Sequence, residues 1–138
     1  GGGTTDYAVE IFYEAVENGK YTSFIKEDTA MPMLYMDDAI DATIKLMTAP
    51  KEQVKIRYSY NLGGMRFTPK ELADEIKKTI PNFEIKYEPD FRQEIADSWP
   101  ASIDDSSAKS DWGLDYKFNI SSMSIDMINN LKKKLEKN

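Results

Sequence analysis

Residues 56–72, Ile56-Arg57-Tyr58-Ser59-Tyr60-Asn61-Leu62-Gly63-Gly64-Met65-Arg66-Phe67-Thr68-Pro69-Lys70-Glu71-Leu72, pass from an extended pattern through a glycine pair into a helix start. The run Ile56 to Leu62 predicts a strand, ended by Gly63-Gly64. Thr68 then stands at an N-cap and Pro69 at the first helical position, where a missing N–H costs nothing. Glu71 completes a capping box: its carboxylate can accept from the Thr68 N–H while the threonine hydroxyl accepts from the first turn. Leu72, Ile76 and Ile80 recur on one face of this helix, and Pro81 ends it.

The same alternation extends in both directions. Residues 6–18 predict a helix with Ala8, Val9, Phe12, Ala15 and Val16 at helical spacing, and Gly19 sits where a left-handed cap is usual. Residues 21–25 and 31–36 read as extended segments, with Pro32 arguing for an edge or entry position. Residues 37–48 predict a second helix, capped by Asp37 or Asp38, burying Ile40, Ile44 and Met47, and stopped by Pro50. Beyond the central helix, residues 83–87 alternate like a half-exposed strand. Short helices are expected near 91–97 and 104–111, broken by Trp99-Pro100 and capped by Gly113. A last helix runs from about Ser122 to Leu135, with Ile128, Leu131 and Leu135 on one face and lysines 132–134 near its C-terminus, which suits the helix dipole. Interleaved helices and strands predict an α/β or α+β fold. The strands are few, so the sheet is expected to leave a face or edge open for a larger protein or an oligomer to cover.

Composition narrows the chemistry. The chain has 138 residues, 41% of them apolar, enough for one domain with a core, and residues 1–138 read as a single unit. It has neither cysteine nor histidine. Disulfides, thiolate metal sites, cysteine nucleophiles and the commonest general base are therefore excluded, and no metal site is expected. The net charge of −6, with Lys and Arg scattered, gives no basic face for nucleic acid. No apolar run is long enough to span a membrane and no signal peptide is evident. The paired carboxylates Asp37-Asp38 and Asp104-Asp105 do not share a helix face, and capping explains them more cheaply than acid–base catalysis. Tyr35, Arg92 and Trp99 are the remaining polar and aromatic candidates.

Gly1-Gly2-Gly3-Thr4-Thr5-Asp6 feeds directly into the first predicted helix. Glycines permit unusual backbone shapes, and helix N-termini favour anionic groups. Thr4, Thr5 and Asp6 stand where capping side chains belong.

The segments Gly2-Gly3-Thr4-Thr5-Asp6-Tyr7-Ala8-Val9-Glu10-Ile11-Phe12, Met31-Pro32-Met33-Leu34-Tyr35-Met36-Asp37-Asp38-Ala39, Tyr87-Glu88-Pro89-Asp90-Phe91-Arg92-Gln93 and Ile95-Ala96-Asp97-Ser98-Trp99-Pro100-Ala101-Ser102-Ile103-Asp104-Asp105 resemble short-chain-type L-threonine 3-dehydrogenases. The wider pattern, Tyr35 to Ala39 followed by Tyr60-Asn61 and a Thr-Pro-Lys-Glu-Leu helix, is similar to extended short-chain dehydrogenases, which include nucleotide-sugar epimerases and dehydratases. The resemblance implies the C-terminal, substrate-binding portion of a Rossmann-type α/β fold, with few strands and about five helices. The family's Gly-rich dinucleotide loop and its catalytic Tyr-x-x-x-Lys do not occur in this sequence, so no catalytic residue is expected in the chain and isolated activity is not expected. By resemblance, Thr5, with Thr4, hydrogen-bonds the substrate L-threonine and Trp99 closes the pocket, while NAD contacts lie mostly in a half not represented here. The resemblance also implies a cytoplasmic homo-oligomer. Two further readings are a nucleotide-sugar epimerase or dehydratase half, and a non-enzymatic binding or assembly domain.

Overall fold

A computed structural model describes residues 6–136. The readings placed on Gly1 to Thr5 lie outside them. The elements run α1 (Tyr7–Glu17), β1 (Lys20–Ser23), β2 (Met31–Met33), α2 (Met36–Thr48), β3 (Met65–Phe67), α3 (Pro69–Thr79), β4 (Glu84–Tyr87), α4 (Arg92–Asp97), α5 (Ser106–Trp112) and α6 (Ile120–Leu135). The α/β class holds, with six helices among the described residues rather than five.

The strands form two separate pairs. β1 runs parallel to β4, with Lys20 opposite Glu84 and Ser23 opposite Tyr87. β2 runs antiparallel to β3, with Pro32 opposite Arg66. A two-stranded ladder has only edge strands, which is where proline is tolerated.

The capping box at α3 forms as the sequence predicts. The Glu71 N–H donates to Thr68 Oγ1 (3.2 Å) and the Thr68 N–H to Glu71 Oε2 (2.8 Å). Gly19 and Gly113 both adopt positive φ, the latter as the α5 C-cap. The helices α1, α3 and α6 pack on one another and on β1, enclosing Tyr7, Ile11, Phe12, Leu72, Ile76, Ile128 and their neighbours. A second, smaller cluster gathers Ala42, Ala108, Trp112 and Leu114 between α2 and α5.

Several expectations are corrected. Residues 56–62 form no strand; the strand lies beyond the glycines, at Met65–Phe67. The chain instead wraps around the Tyr60 hydroxyl, which accepts from the N–H groups of Lys55 and Ile56 (both 3.0 Å) and donates to Asp111 Oδ2 (2.9 Å). In α2 the expected buried stripe faces outward: Ile40 is 50%, Ile44 54% and Met47 79% exposed. Nor does Asp37 or Asp38 cap this helix. Its N-cap is Tyr35, with no side-chain cap bond, and Asp38 is buried within the first turn. In α1 the core face is Tyr7, Ile11, Phe12 and Ala15, while Val9 is exposed; in α6, Leu135 is exposed.

Candidate functional site

Trp99 follows directly on α4, and its position is set from the residues that anchor that helix. The pairing of β1 with β4 continues beyond the strands through Glu88 N–H to Ser23 O (2.8 Å) and Asp90 N–H to Phe24 O (3.2 Å), which delivers the chain to the start of α4. Asp90 then accepts from the Arg92 backbone N–H (2.9 Å) and from its guanidinium (Nη2–Oδ2 2.6 Å). That guanidinium lies 3.4 Å over the Phe24 ring, a cation–π placement. Hydrogen bonding to Arg92 holds the Asp90 carboxyl below its ordinary range.

The adjacent Gln93 is buried and makes three bonds. Its Oε1 accepts from Lys26 N–H (2.7 Å), and its Nε2 donates to Thr29 Oγ1 (3.0 Å) and Asp97 Oδ1 (2.6 Å). It ties α4 to the loop after β1, satisfying polar groups that would be costly to bury alone. On this fixed support Trp99 is 48% exposed, with its backbone N–H on Ala96 O (3.1 Å). It is therefore not a core anchor; Trp112 fills that role in the second cluster. Phe91, Ile95 and Trp99 are all exposed, one before, one within and one after α4.

The other expected contacts, Thr4 and Thr5, lie outside the described residues. Just after them, α1 and β1 border an open groove of about 1160 Å³, lined in part by Asp6, Glu10, Tyr13, Tyr21 and Thr22. There Tyr21 donates to Glu10 Oε2 (3.2 Å). Burial first, and then the Glu10 charge, push the Tyr21 phenol above its ordinary range, so it stays protonated at neutral pH. Tyr7 is likewise pushed up by burial. Its hydroxyl has no hydrogen-bond partner among the described residues. Neither phenol is poised as a base. No group of His, Cys, Asp and Glu that could hold a metal occurs among the described residues, and none of their helices is long and apolar enough to cross a membrane.

Tyr35 serves packing: its hydroxyl donates to Asp126 Oδ2 (2.6 Å) and its ring lies against Phe118. The Gly63-Gly64 pair is filled by the chain's own backbone. A Cβ on Gly63 would meet Ile103 O at 2.5 Å, and one on Gly64 would meet Met33 O at 2.2 Å. This pair is no cradle for a pyrophosphate. Three buried polar residues that sequence reasoning missed as positioning groups are Asp38, Gln93 and Asp105. Only the burial of a polar side chain reveals them, and no spacing in the sequence signals it.

No protein-family model matches the chain. It is 50% identical over 135 residues to an uncharacterized epimerase/dehydratase of Staphylococcus haemolyticus, covering 97% of this chain and 42% of that protein. It is 48% identical over 130 residues to the mitochondrial L-threonine 3-dehydrogenase of Bos taurus, covering 94% of this chain and 35% of that one. Its fold superposes on the crystal structure of L-threonine dehydrogenase from Phytophthora infestans with a TM-score of 0.92 at 50% identity, covering 97% of this chain and 43% of the other. The chain belongs to the L-threonine 3-dehydrogenase and epimerase/dehydratase family.

It spans less than half the length of these relatives and corresponds to a C-terminal part of them. In this family portion, two separate strand pairs and six helices carry the Trp99 segment on an anchored helix.

Proposed function

We propose that the chain is the substrate-side portion of an NAD-dependent L-threonine 3-dehydrogenase. The observation that carries this reading is Trp99. It stands half exposed on a helix fixed by Gln93 and Arg92, in a chain about half identical to L-threonine dehydrogenases over nearly its whole length. In this reading Thr5, with Thr4, hydrogen-bonds the amino acid at the start of α1, and Trp99 covers its apolar side with a rigid ring. The remainder of the longer protein would hold NAD, which would supply the hydride acceptor for oxidising L-threonine at its β-carbon to 2-amino-3-ketobutyrate, with the hydroxyl proton passing to a base in that remainder. The contribution of this portion is positioning and exclusion of water rather than proton transfer.

The test is steady-state kinetics with the chain set in place of the matching residues of a full-length relative. Thr5→Ala is expected to raise the KM for L-threonine several-fold or more with the NAD constant nearly unchanged, since one hydrogen bond contributes about 0.5–3 kcal/mol depending on the partner's charge. Trp99→Ala is expected to lower kcat/KM further. Unchanged threonine kinetics in both variants, or turnover of a nucleotide-diphosphate sugar in place of threonine, rejects the assignment. The 138-residue chain alone is expected to form no NADH from L-threonine.

A further inference from the structure

Trp99 reaches the fold through α4. Its backbone N–H and that of Ser98 bond back to Ala96 O and Ile95 O (both 3.1 Å), and residues 98–104 beyond the helix are all exposed. A helix of six residues is too short to hold a position by its own backbone bonds. Its start is tied by Arg92, which pairs with Asp90 and lies over Phe24. Its end is tied by Gln93, whose Nε2 reaches one turn on to Asp97 Oδ1 (2.6 Å), two residues before Trp99. The same amide is fixed on the loop after β1, accepting from Lys26 N–H (2.7 Å) and donating to Thr29 Oγ1 (3.0 Å). That loop is itself fastened: Phe24 and Ile25 are buried in the core, and Lys70 N–H at the start of α3 donates to Glu27 O (3.1 Å). Asp97 is exposed, so burial does not hold it; its bond to the buried amide does, and a hydrogen bond to a carboxylate is a strong one.

We infer that Gln93 is a positioning residue for Trp99: the amide takes its place from the core-fastened loop and passes it, through the Asp97 carboxylate, to the turn that carries the indole. What the ring then does for a substrate rests on the reading proposed above; where the ring stands does not. The position demands a side chain that accepts and donates at once. Lys26 N–H needs an acceptor, and the Asp97 carboxylate needs a donor. Gln93→Glu fails at one point only. The introduced carboxylate still accepts from Lys26 N–H, and the Thr29 hydroxyl can turn to donate to it. Toward Asp97, however, it sets one negative charge against another. The substitution therefore cuts the link to Trp99 and spares the link to the core. Asp97→Ala cuts the same bond from its exposed end.

The chain holds two tryptophans, so fluorotryptophan labelling gives two fluorine NMR resonances, that of Trp99 assigned by its loss in Trp99→Phe. At mildly alkaline pH, Gln93→Glu and Asp97→Ala are each expected to shift the Trp99 resonance and to leave that of Trp112, in the second cluster, in place. Gln93→Glu combined with Asp97→Asn exchanges donor for acceptor, remakes the bond and is expected to return the Trp99 resonance to its parent position. A Trp99 resonance unmoved by Asp97→Ala overturns the inference. So does a double variant that stays shifted, and so does an equal shift of both resonances, which marks general loosening rather than a tie to one ring. In the fusion used for the kinetic test, Gln93→Glu is expected to raise the KM for L-threonine about fivefold, with the NAD constant held within about twofold, and to add nothing in a Trp99→Ala background. A cost in that background equal to the cost in the parent overturns the inference, because Gln93 then acts by a route other than Trp99. Resonances that shift and recover as expected, with threonine kinetics unchanged by Gln93→Glu and by Trp99→Ala alike, reject the substrate reading and keep the positioning role.

Discussion

The three-helix core of α1, α3 and α6 and the flank built from α2, α5 and residues 54–64 are held together by different physics. The core encloses large apolar side chains, with Tyr7, Ile11, Phe12, Leu72, Ile76 and Ile128 wholly buried. The flank has only Ala42, Ala108, Trp112 and Leu114 fully inside. It is joined instead by carboxylates. Asp38 receives two backbone N–H groups, Asp105 receives Gly63 N–H (3.2 Å), Tyr116 OH (2.7 Å) and Lys109 (2.7 Å), and Asp111 receives Tyr60 OH and Lys55. Apolar burial scales with area and tolerates acid; a carboxylate clasp is directional and depends on its charge. The contrast teaches that a flank short of apolar contact holds its shape through a few buried acids.

The largest expected separation comes from Phe12→Ala, which opens a cavity in the core and should cost about 3–5 kcal/mol by urea denaturation. Asp38→Ala should cost less, about 1.5–3 kcal/mol for lost bonds to a charged acceptor. Its mark is local: hydrogen exchange should quicken at Lys117 and Phe118 while α1 and α6 stay protected. If exchange quickens equally in the core, the two regions are one cooperative unit and the contrast fails.

Acid should then separate them. Burial raises the Asp105 carboxyl pKa, but its bonds to Lys109, Tyr116 and Gly63 outweigh burial and leave it lowered. A depressed folded-state pKa adds stability above the unfolded value of about 3.9, and that stability is lost as pH falls through the folded value. Trp112 emission, which reports the flank, is therefore expected to shift red at a higher pH than core circular dichroism is lost, in a Trp99→Phe background that isolates it. Asp105→Asn should flatten that acid step. The smallest effect is expected from Trp99→Ala, within about 0.5 kcal/mol of the parent by thermal melting, because its half-exposed ring is outside both clusters. A large loss there would place the ring in the core.

The legible parts of the sequence were those decided locally. Thr68-Pro69-x-Glu71, Gly19 and Gly113 specify caps through their own backbone chemistry, and all three form. The strand expected at 56–62 fails because a side chain 51 residues away, Asp111, anchors Tyr60 and turns the backbone inward to its hydroxyl. The apolar stripe of α2 was legible but was read as buried, because periodicity says which face is apolar and not what covers it. The Trp99 motif was legible through its resemblance, and the structure leaves its ring half exposed. Its support, Gln93, was not legible, because a buried glutamine looks like any surface one until its three partners are known.

The contact between α1 and α6 has a consequence for how the protein is made. About a hundred residues separate the end of the first helix from the start of the last. At the ribosome's pace of about 5–20 residues per second, Phe12 and Ile11 emerge on the order of 10 seconds before the helix that covers them. The closing of so long a loop is what must be completed before the core's favourable contacts accumulate. Nascent chains therefore carry the first helix without its α6 cover while the residues between them are made, and shielding that surface in the interval is work for chaperones.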